Sequence, residues 1–492
     1  MIFMIDKVVK IFIFGLAFIL PWQTRLIMVP GSLGGEYSEY GTLSLYGTDI
    51  CLAAIIFLLA AKNRQKIFSG RWAVKRLFFQ PAWFWPWAGF LLVASLSILI
   101  ASDQLLAFQH WFWQAAGGWL ALWLSGRPDR KKIAAVFLAG LLLSGLFGWA
   151  QFFFQSAPAS KWLGLASHNP AVAGASVVEA AAGRWLRAYG SFDHPNILGG
   201  ALALGWLLAL KYLPRRPGKA GATGATGDRA LTTRAVINGA VINHGPSAAI
   251  ARAVINHGPS AAIARAVINH GPTMFSGMAA AALFFTFSRS AWLAWLAGIA
   301  VYFFLAAWWR PVPRETRETR ETRETRSIAS VRVCVAALVI CVLALFYHNL
   351  LEPRLAASGR LEEKSKMERM VGWQSGINIL KNHLFLGAGL GNSVRLSAQE
   401  PAAYRQPAHN HFLLIAIETG GLGFLGWIAF WFLLARAFWR AKNAVALAVW
   451  TGLTMIMMFD HYFFSLHAGV LIFYFVLGLI LPLRPRAFGS QN

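Results

Sequence analysis

The stretch Ile133-Ala-Ala-Val-Phe-Leu-Ala-Gly-Leu-Leu-Leu-Ser-Gly-Leu-Phe-Gly-Trp-Ala-Gln-Phe-Phe-Phe154 holds no charged residue and follows directly on Arg127-Pro-Asp-Arg-Lys-Lys132. A run of this length matches the ~20 residues that cross a hydrocarbon core as a helix, with the basic cluster left on the cytoplasmic flank. Similar runs at 11–28, 45–61, 84–100, 105–124, 197–213, 274–287, 291–309, 331–350, 412–434, 444–459 and 466–483 bring the expectation to about twelve transmembrane helices. The composition agrees: 57% of the 492 residues are hydrophobic and 13% charged, too little polar surface to cover a water-soluble fold. The expected fold class is an all-α polytopic membrane protein.

A formal charge of +25 invites a nucleic-acid reading. The bases instead sit in short clusters between apolar runs, which fits the positive-inside rule and excludes a nucleic-acid partner. Lys62, Arg64, Lys66, Arg71, Lys75 and Arg76 crowd one connection, while residues 30–46 carry Glu36 and Glu39 and no base. The N-terminus is therefore expected in the cytoplasm, as an uncleaved first span, and so is the C-terminus. The same alternation brings Arg127 to Lys132, Lys211 to Lys219, Arg310 to Arg326, Arg436 to Lys442 and Arg484 to Arg486 to that side. Cys51, Cys334 and Cys341 lie within apolar runs and imply no disulfide framework.

Two outer connections are long, 155–195 and 351–411. In the second, Met370, Trp373, Ile377, Leu380 and Leu384 recur at spacings of three and four, which predicts an amphipathic helix over 367–383, floating on lipid or capping a cavity. The chain divides into 1–213 with six spans, a low-complexity insertion at 214–272, three spans over 273–350, a large outer loop at 351–411, and three spans over 412–492. Within the insertion, Ala-Val-Ile-Asn-His-Gly-Pro-Ser-Ala-Ala-Ile-Ala-Arg is copied, and Glu-Thr-Arg recurs from Glu315 to Arg326. Both read as duplicated sequence in cytoplasmic loops, and His244, His257 and His270 as passengers of the copied unit, not metal ligands.

Bases on the outer side run against the positive-inside bias and so point to function. Arg187 stands in Arg187-Ala-Tyr-Gly-Ser-Phe-Asp-His-Pro-Asn196, just before a helix whose free amides suit an anion. Arg289 stands in Thr286-Phe-Ser-Arg-Ser-Ala-Trp292, a polar break where a guanidinium can grip a phosphate through two hydrogen bonds. His409 opens His409-Asn-His-Phe-Leu-Leu-Ile-Ala-Ile-Glu-Thr-Gly-Gly-Leu-Gly423, and an imidazole there can take a proton from an attacking hydroxyl. Asn410, His411 and the intramembrane Glu418 flank it. Glu418 is open to two roles, orienting His409 or His411 or satisfying a helix contact.

These three stretches carry a resemblance. His409-Asn410, nine residues, Gly420, two residues and Gly423 match the His-(Asn/Ser/Gln)-x9-Gly-x-x-(Gly/Thr/Tyr) pattern of O-antigen ligases. The Arg187 and Arg289 stretches resemble two further signatures of the wider ligase and polymerase superfamily, in the family's order. The resemblance implies a GT-C-like membrane glycosyltransferase of the bacterial inner membrane with a large periplasmic loop. It implies an undecaprenyl-diphosphate-linked glycan donor, a glycolipid or glycan acceptor, Arg187 and Arg289 on the diphosphate, and His409 as the base. Arg369 is a weaker third candidate for the diphosphate, and Asn196, Asn410, His411 and Glu418 are supporting residues. With no carboxylate pair found on the outer face for a divalent ion, neither metal nor cofactor is expected. Acceptor identity separates ligase from polymerase from protein O-oligosaccharyltransferase, and a solute transporter is the rival from another class.

Overall fold

The computed structural model describes residues 2–68, 81–181, 183–213, 272–309, 317–356, 359–397, 401 and 404–482. The copied unit with His244, His257 and His270, and the bases Arg71, Lys75, Arg76, Lys219, Arg484 and Arg486, lie outside the described residues.

Helices occupy the predicted apolar runs: α1 (Ile2–Ile19), α2 (Gly47–Phe68), α3 (Phe84–Ile98), α4 (Gln104–Ser125), α5 (Arg130–Phe154), α6 (Pro195–Tyr212), α7 (Pro272–Phe285), α8 (Arg289–Trp308) and α9 (Arg317–Phe346). After α9 come α10 (His348–Ala356), α11 (Arg360–Asn382) and α12 (Ser393–Leu396), then α13 (His411–Arg440), α14 (Ala444–Phe459), α15 (Tyr462–Ser465) and α16 (His467–Ile480). Among the described residues, four are long and apolar enough to cross a membrane: Arg130–Phe154, Arg289–Trp308, Ala329–Phe346 and His411–Arg440. The mostly helical architecture is that of an α-helical membrane protein.

Three expectations need correction. The first apolar run does not continue as a helix to Met28: α1 ends at Ile19, and Arg25–Val29 is a strand (β1) paired antiparallel with Leu43–Tyr46 (β4) across two short strands, Ser32–Leu33 (β2) and Glu36–Tyr37 (β3). Pro21 cannot donate to a helical ladder, and the polar Gln23-Thr-Arg25 that follows favours leaving the apolar environment. Much of the Glu-Thr-Arg tract is also not a loop, because α9 begins at Arg317 and runs through it. Glu and Arg both have high helix propensity, and a helix already formed beyond them propagates readily. Third, the amphipathic helix of the 351–411 connection is longer than predicted, and most of its apolar stripe is not covered by the bundle. Met367, Met370, Trp373 and Ile377 are exposed, while Gly376 and Ile379 of α11 pack against Ile417 of α13.

The helix ends sort cleanly. The beginnings of α4, α6, α8, α13 and α16 and the ends of α5, α7 and α14 share one end of the bundle. Asp103 at the start of α4 meets Arg395 of α12, for instance, and Arg187 reaches the end of α7. At the far end, Arg130 donates to the Leu481 carbonyl at 2.6 Å, and Arg332 donates to the carbonyls of Ala209 and Leu213 at the end of α6. Basic residues there complete helix C-termini, which carry partial negative charge.

α13 is interrupted. Gly420 has φ 67° and ψ −174°, and a Cβ there would sit 2.2 Å from the Phe385 carbonyl oxygen. The break frees backbone groups that the outer loop then satisfies. Ala388 and Gly389 donate to the carbonyls of Ile417 and Glu418 at 2.9 and 3.0 Å, and Gly421 donates to Leu384 at 2.7 Å. Non-helical backbone among apolar helices is tolerated where protein supplies the partners, and the turn Gly387-Ala-Gly-Leu-Gly391 does so with all three glycines at positive φ.

Candidate active site

The Arg187 stretch is held by α5. Gln151 accepts from the amides of Tyr189 and Gly190 and donates to the Gly190 carbonyl, while the Ser144 hydroxyl accepts from Ser191. Gly190 has φ 62°, and a Cβ would come within 2.7 Å of the Ser144 backbone, so only glycine lets the chain lie this close. The stretch runs from β6 (Gly183–Leu186), paired with β5 (Val177–Ala180), into α6, where the His194 ring accepts from the Asn196 amide as N-cap and Pro195 takes the first turn.

Arg187 is 4% exposed. Its Nε donates to the Thr286 carbonyl at 2.7 Å and its Nη2 to Asn196 Oδ1, also at 2.7 Å. Asn196 Nδ2 donates to Asp460 Oδ2 at 3.0 Å, and Asp460 Oδ1 lies 3.6 Å from His409 Nδ1. Residues from the first and third motifs are thus joined in one line, Arg187 to Asn196 to Asp460 to His409. The last step is an ion-pair separation rather than a hydrogen bond.

The second motif gathers arginines. Phe287, left-handed at φ 46°, turns the chain between α7 and α8, and consecutive carbonyls go to different partners. Thr286 accepts from Arg187, and Phe287 accepts from Arg354 Nε at 2.9 Å. Arg289, the first residue of α8 beyond the Ser288 N-cap, donates to Glu362 Oε2 at 2.7 Å, and Arg354 donates to Glu362 Oε1. A bulky residue in the left-handed region costs of order 1–3 kcal/mol and is a mark of functional sites. The beginnings of α6, α8 and α13 converge here, adding the partial positive charge of helix N-termini to the guanidinium groups.

Burial, together with the neighbouring Arg354 and Arg289, disfavours the charged form of Arg187 and pushes its ionisation well below the usual arginine range. Arg354 is pushed down in the same way, by burial and Arg289, against the pull of Glu362. A guanidinium does not give up its proton in a protein, so this strain appears as a standing preference for an incoming anion. Burial works to raise the Asp460 carboxyl, but the His409 imidazole, with His461 and His194 near it, outweighs burial and holds it below the usual carboxylate range. Burial pushes the His461 imidazole down to about 3, and its Nδ1 lies 2.6 Å from the Ser465 hydroxyl. Tyr40, between β3 and β4, lays its ring 6.0 Å from His461 and covers the site from the hairpin side.

The other predicted residues divide. Asn410 caps α13, accepting from the Leu413 amide and donating to the Met458 carbonyl, and so fixes where His409 leaves the helix. His411 sits in an aromatic cage of Trp427, Phe464 and Phe473, and neither of its ring nitrogens has a hydrogen-bond partner among the described residues. Glu418 accepts from the Gly391 amide and the Ser393 hydroxyl, which decides between its two open roles: it anchors the outer-loop turn to α13 and orients neither histidine. Arg369 lies near enough to Arg354 to repel it but has no hydrogen bond to Glu362.

Sequence reasoning missed Asp460, His461, Arg354 and Glu362. Asp460-His461 breaks two apolar runs at the same end as His409, and that polar break between the last spans is the sequence signal for it. Arg354 lies in the long 351–411 connection, where its charge is masked by the neighbouring acids. His409, Asp460 and His461 also bring one ligand-type atom each within 4.8 Å of one another, a donor set with the chemistry for a divalent ion. Its members come from two distant connections, so no local spacing in the sequence marks the group.

A buried Arg187, the half-buried Arg289 and Arg354, and an imidazole facing a carboxylate thus lie at one end of a helical membrane protein. A family model described as O-Antigen ligase matches residues 274–428, covering the second and third motifs and the outer loop. The match supports membership of the O-antigen ligase superfamily, whose members are membrane glycosyltransferase-like enzymes, ligases and polymerases. No curated protein matches the chain.

Proposed function

We propose that the protein transfers a glycan from undecaprenyl diphosphate to an acceptor hydroxyl on the periplasmic face of the bacterial inner membrane, the acceptor being a lipid A-core sugar. The hydrogen-bonded line from Arg187 through Asn196 and Asp460 towards His409 carries this reading, because it couples a diphosphate-type site to a base. His409 Nε2, which lies 3.3 Å from Gln406 Oε1 and must give up that contact, takes the acceptor proton as that oxygen attacks the anomeric carbon. The carbon–oxygen bond to the diphosphate breaks and its electron pair leaves with the phosphate, inverting the anomeric centre. Arg187 and Arg289, with Arg354 added, neutralise the leaving charge, the role that a metal fills in many glycosyl transfers, so the reaction is read as metal-independent. Asp460 orients the imidazole and stabilises it once protonated. The twelve-span count, cytoplasmic termini and periplasmic site belong to this reading. They are supported by the basic residues at the far end of the bundle.

A growing lipid-linked glycan or a protein serine as acceptor would make the same site a polymerase or an O-oligosaccharyltransferase. A transporter fits less well, because the polar residues gather at one end and not at the midplane. The test is glycan transfer by purified Arg187→Ala, Arg289→Ala and His409→Ala variants in proteoliposomes. Each is expected to lose at least ~100-fold in rate. Unchanged transfer in all three, or solute flux without transfer, overturns the reading.

A further inference from the structure

Glu362 is an acid enclosed by the bases that the donor needs. It is 8% exposed, in the first turn of α11, and both carboxylate oxygens are engaged: Oε2 by Arg289 at 2.7 Å and Oε1 by Arg354. Arg289 Nη1 also reaches the Arg354 carbonyl at 3.3 Å, so the two arginines are brought to one place. Two guanidinium groups closing on two oxygens is the geometry with which arginine grips a phosphate. Three arginines stand against this single carboxylate, since Arg187 feels the charge of Glu362, Arg354 and Arg289 alike. Beside the pair opens a cavity of about 320 Å³, walled by Val177, Val178 and Leu361 and carrying the charges of Glu179, Arg354 and Glu362. That space leaves room for the Glu362 side chain to move off the arginines.

The geometry points to Glu362 as a removable stand-in for a donor phosphate: its carboxylate occupies the Arg289–Arg354 clamp in the free protein and must leave when the lipid diphosphate enters. This rests on the diphosphate reading above. A phosphate at the clamp and an ionised Glu362 cannot share it, because like charges at this range repel in a poorly hydrated site. The free clamp is thereby kept paired, where unpaired buried guanidinium groups would be costly. Donor affinity is lowered by the fraction of chains in which Glu362 is seated. After transfer, the returning carboxylate competes with the product undecaprenyl diphosphate, which the same arginines would otherwise retain.

The test uses the full chain in nanodiscs with farnesyl diphosphate as probe. Glu362→Gln, which keeps the shape and removes the charge, is expected to bind the probe about tenfold more tightly than wild type, and Arg289→Ala to lose binding. Equal or weaker binding by Glu362→Gln, with Arg289→Ala still defective, overturns the stand-in and leaves the diphosphate site intact. Wild-type binding by Arg289→Ala overturns the diphosphate reading and this inference with it. A second measurement does not depend on the Glu362 variant folding. Leu361→Cys is placed in a chain whose Cys51, Cys334 and Cys341 are replaced by serine, and its labelling by a water-soluble maleimide should rise several-fold with farnesyl diphosphate. Labelling indifferent to the probe overturns displacement.

Discussion

Asn196 Nδ2 donates to Asp460 Oδ2 across 3.0 Å, and the two residues are 264 positions apart in the chain. The same side chain accepts from Arg187 through its oxygen, so a single amide, with one donor and one acceptor end, links the anion-holding arginine to the carboxylate that faces His409.

Replacing that amide should uncouple the two halves while leaving each in place. Asn196→Ala is expected to lower the transfer rate roughly ten- to hundredfold, the equivalent of ~1.5–3 kcal/mol for a hydrogen bond to a charged group. The fall should appear in kcat with KM for the donor little changed. A rise in KM alone would assign Asn196 to donor binding only.

Asp460 predicts a pH signature with a definite sign. Its folded ionisation lies below the unfolded value of ~3.9, so its contribution to stability is fully present above that value and is lost as pH falls through the lower, folded one. Asp460→Asn should therefore lower the melting temperature in detergent at pH 5. The gap to wild type should narrow below pH ~4. A gap unchanged down to pH 2 would show that another group governs it.

The cluster of His409, Asp460 and His461 makes the metal question sharp. Transfer by protein treated with EDTA should equal that of untreated protein, and added manganese or magnesium should change nothing. Loss on chelation that manganese restores, and that His461→Ala abolishes, would instead assign the cluster to a cation.

The interruption of α13 should tolerate no side chain. Gly420→Ala must be accommodated at φ 67° against the Phe385 carbonyl, and we expect a loss of stability of at least ~1–3 kcal/mol, seen as a lower melting temperature and poor recovery from membranes. Gly421→Ala is the control: its new methyl would meet only the Leu384 oxygen at 3.3 Å, and its φ is not in the left-handed region. Equal effects from the two variants would argue against a special role for the break.

Much of this architecture was legible in the sequence because helix positions follow from apolar runs, and a run such as 133–154 admits few alternatives. The three motifs were legible as well, because an arginine or histidine at the wrong boundary stands out against the positive-inside bias. Acids do not stand out in this way. Asp460 and Glu362 escaped notice although each sits against a predicted residue, since no charge rule makes an outer carboxylate unusual. The stripe Met370-Trp373-Ile377 was read correctly as periodic, but periodicity could not say that α11 would leave most of it uncovered and pack through Gly376 and Ile379 instead. The extra strand pair at 25–46 was lost because Leu26 to Val29 has the composition of a membrane segment but follows a proline and a polar triplet.

The 13-residue unit is copied in the connection from Tyr212 to Pro272, and the ends of α6 and α7 that it joins lie away from Arg187 and Arg289. The Arg187 and Arg289 motifs lie at the opposite tips of these helices, whose positions are fixed by their packing in the bundle. The spacing among Arg187, Arg289 and His409 therefore does not depend on how many copies that connection holds.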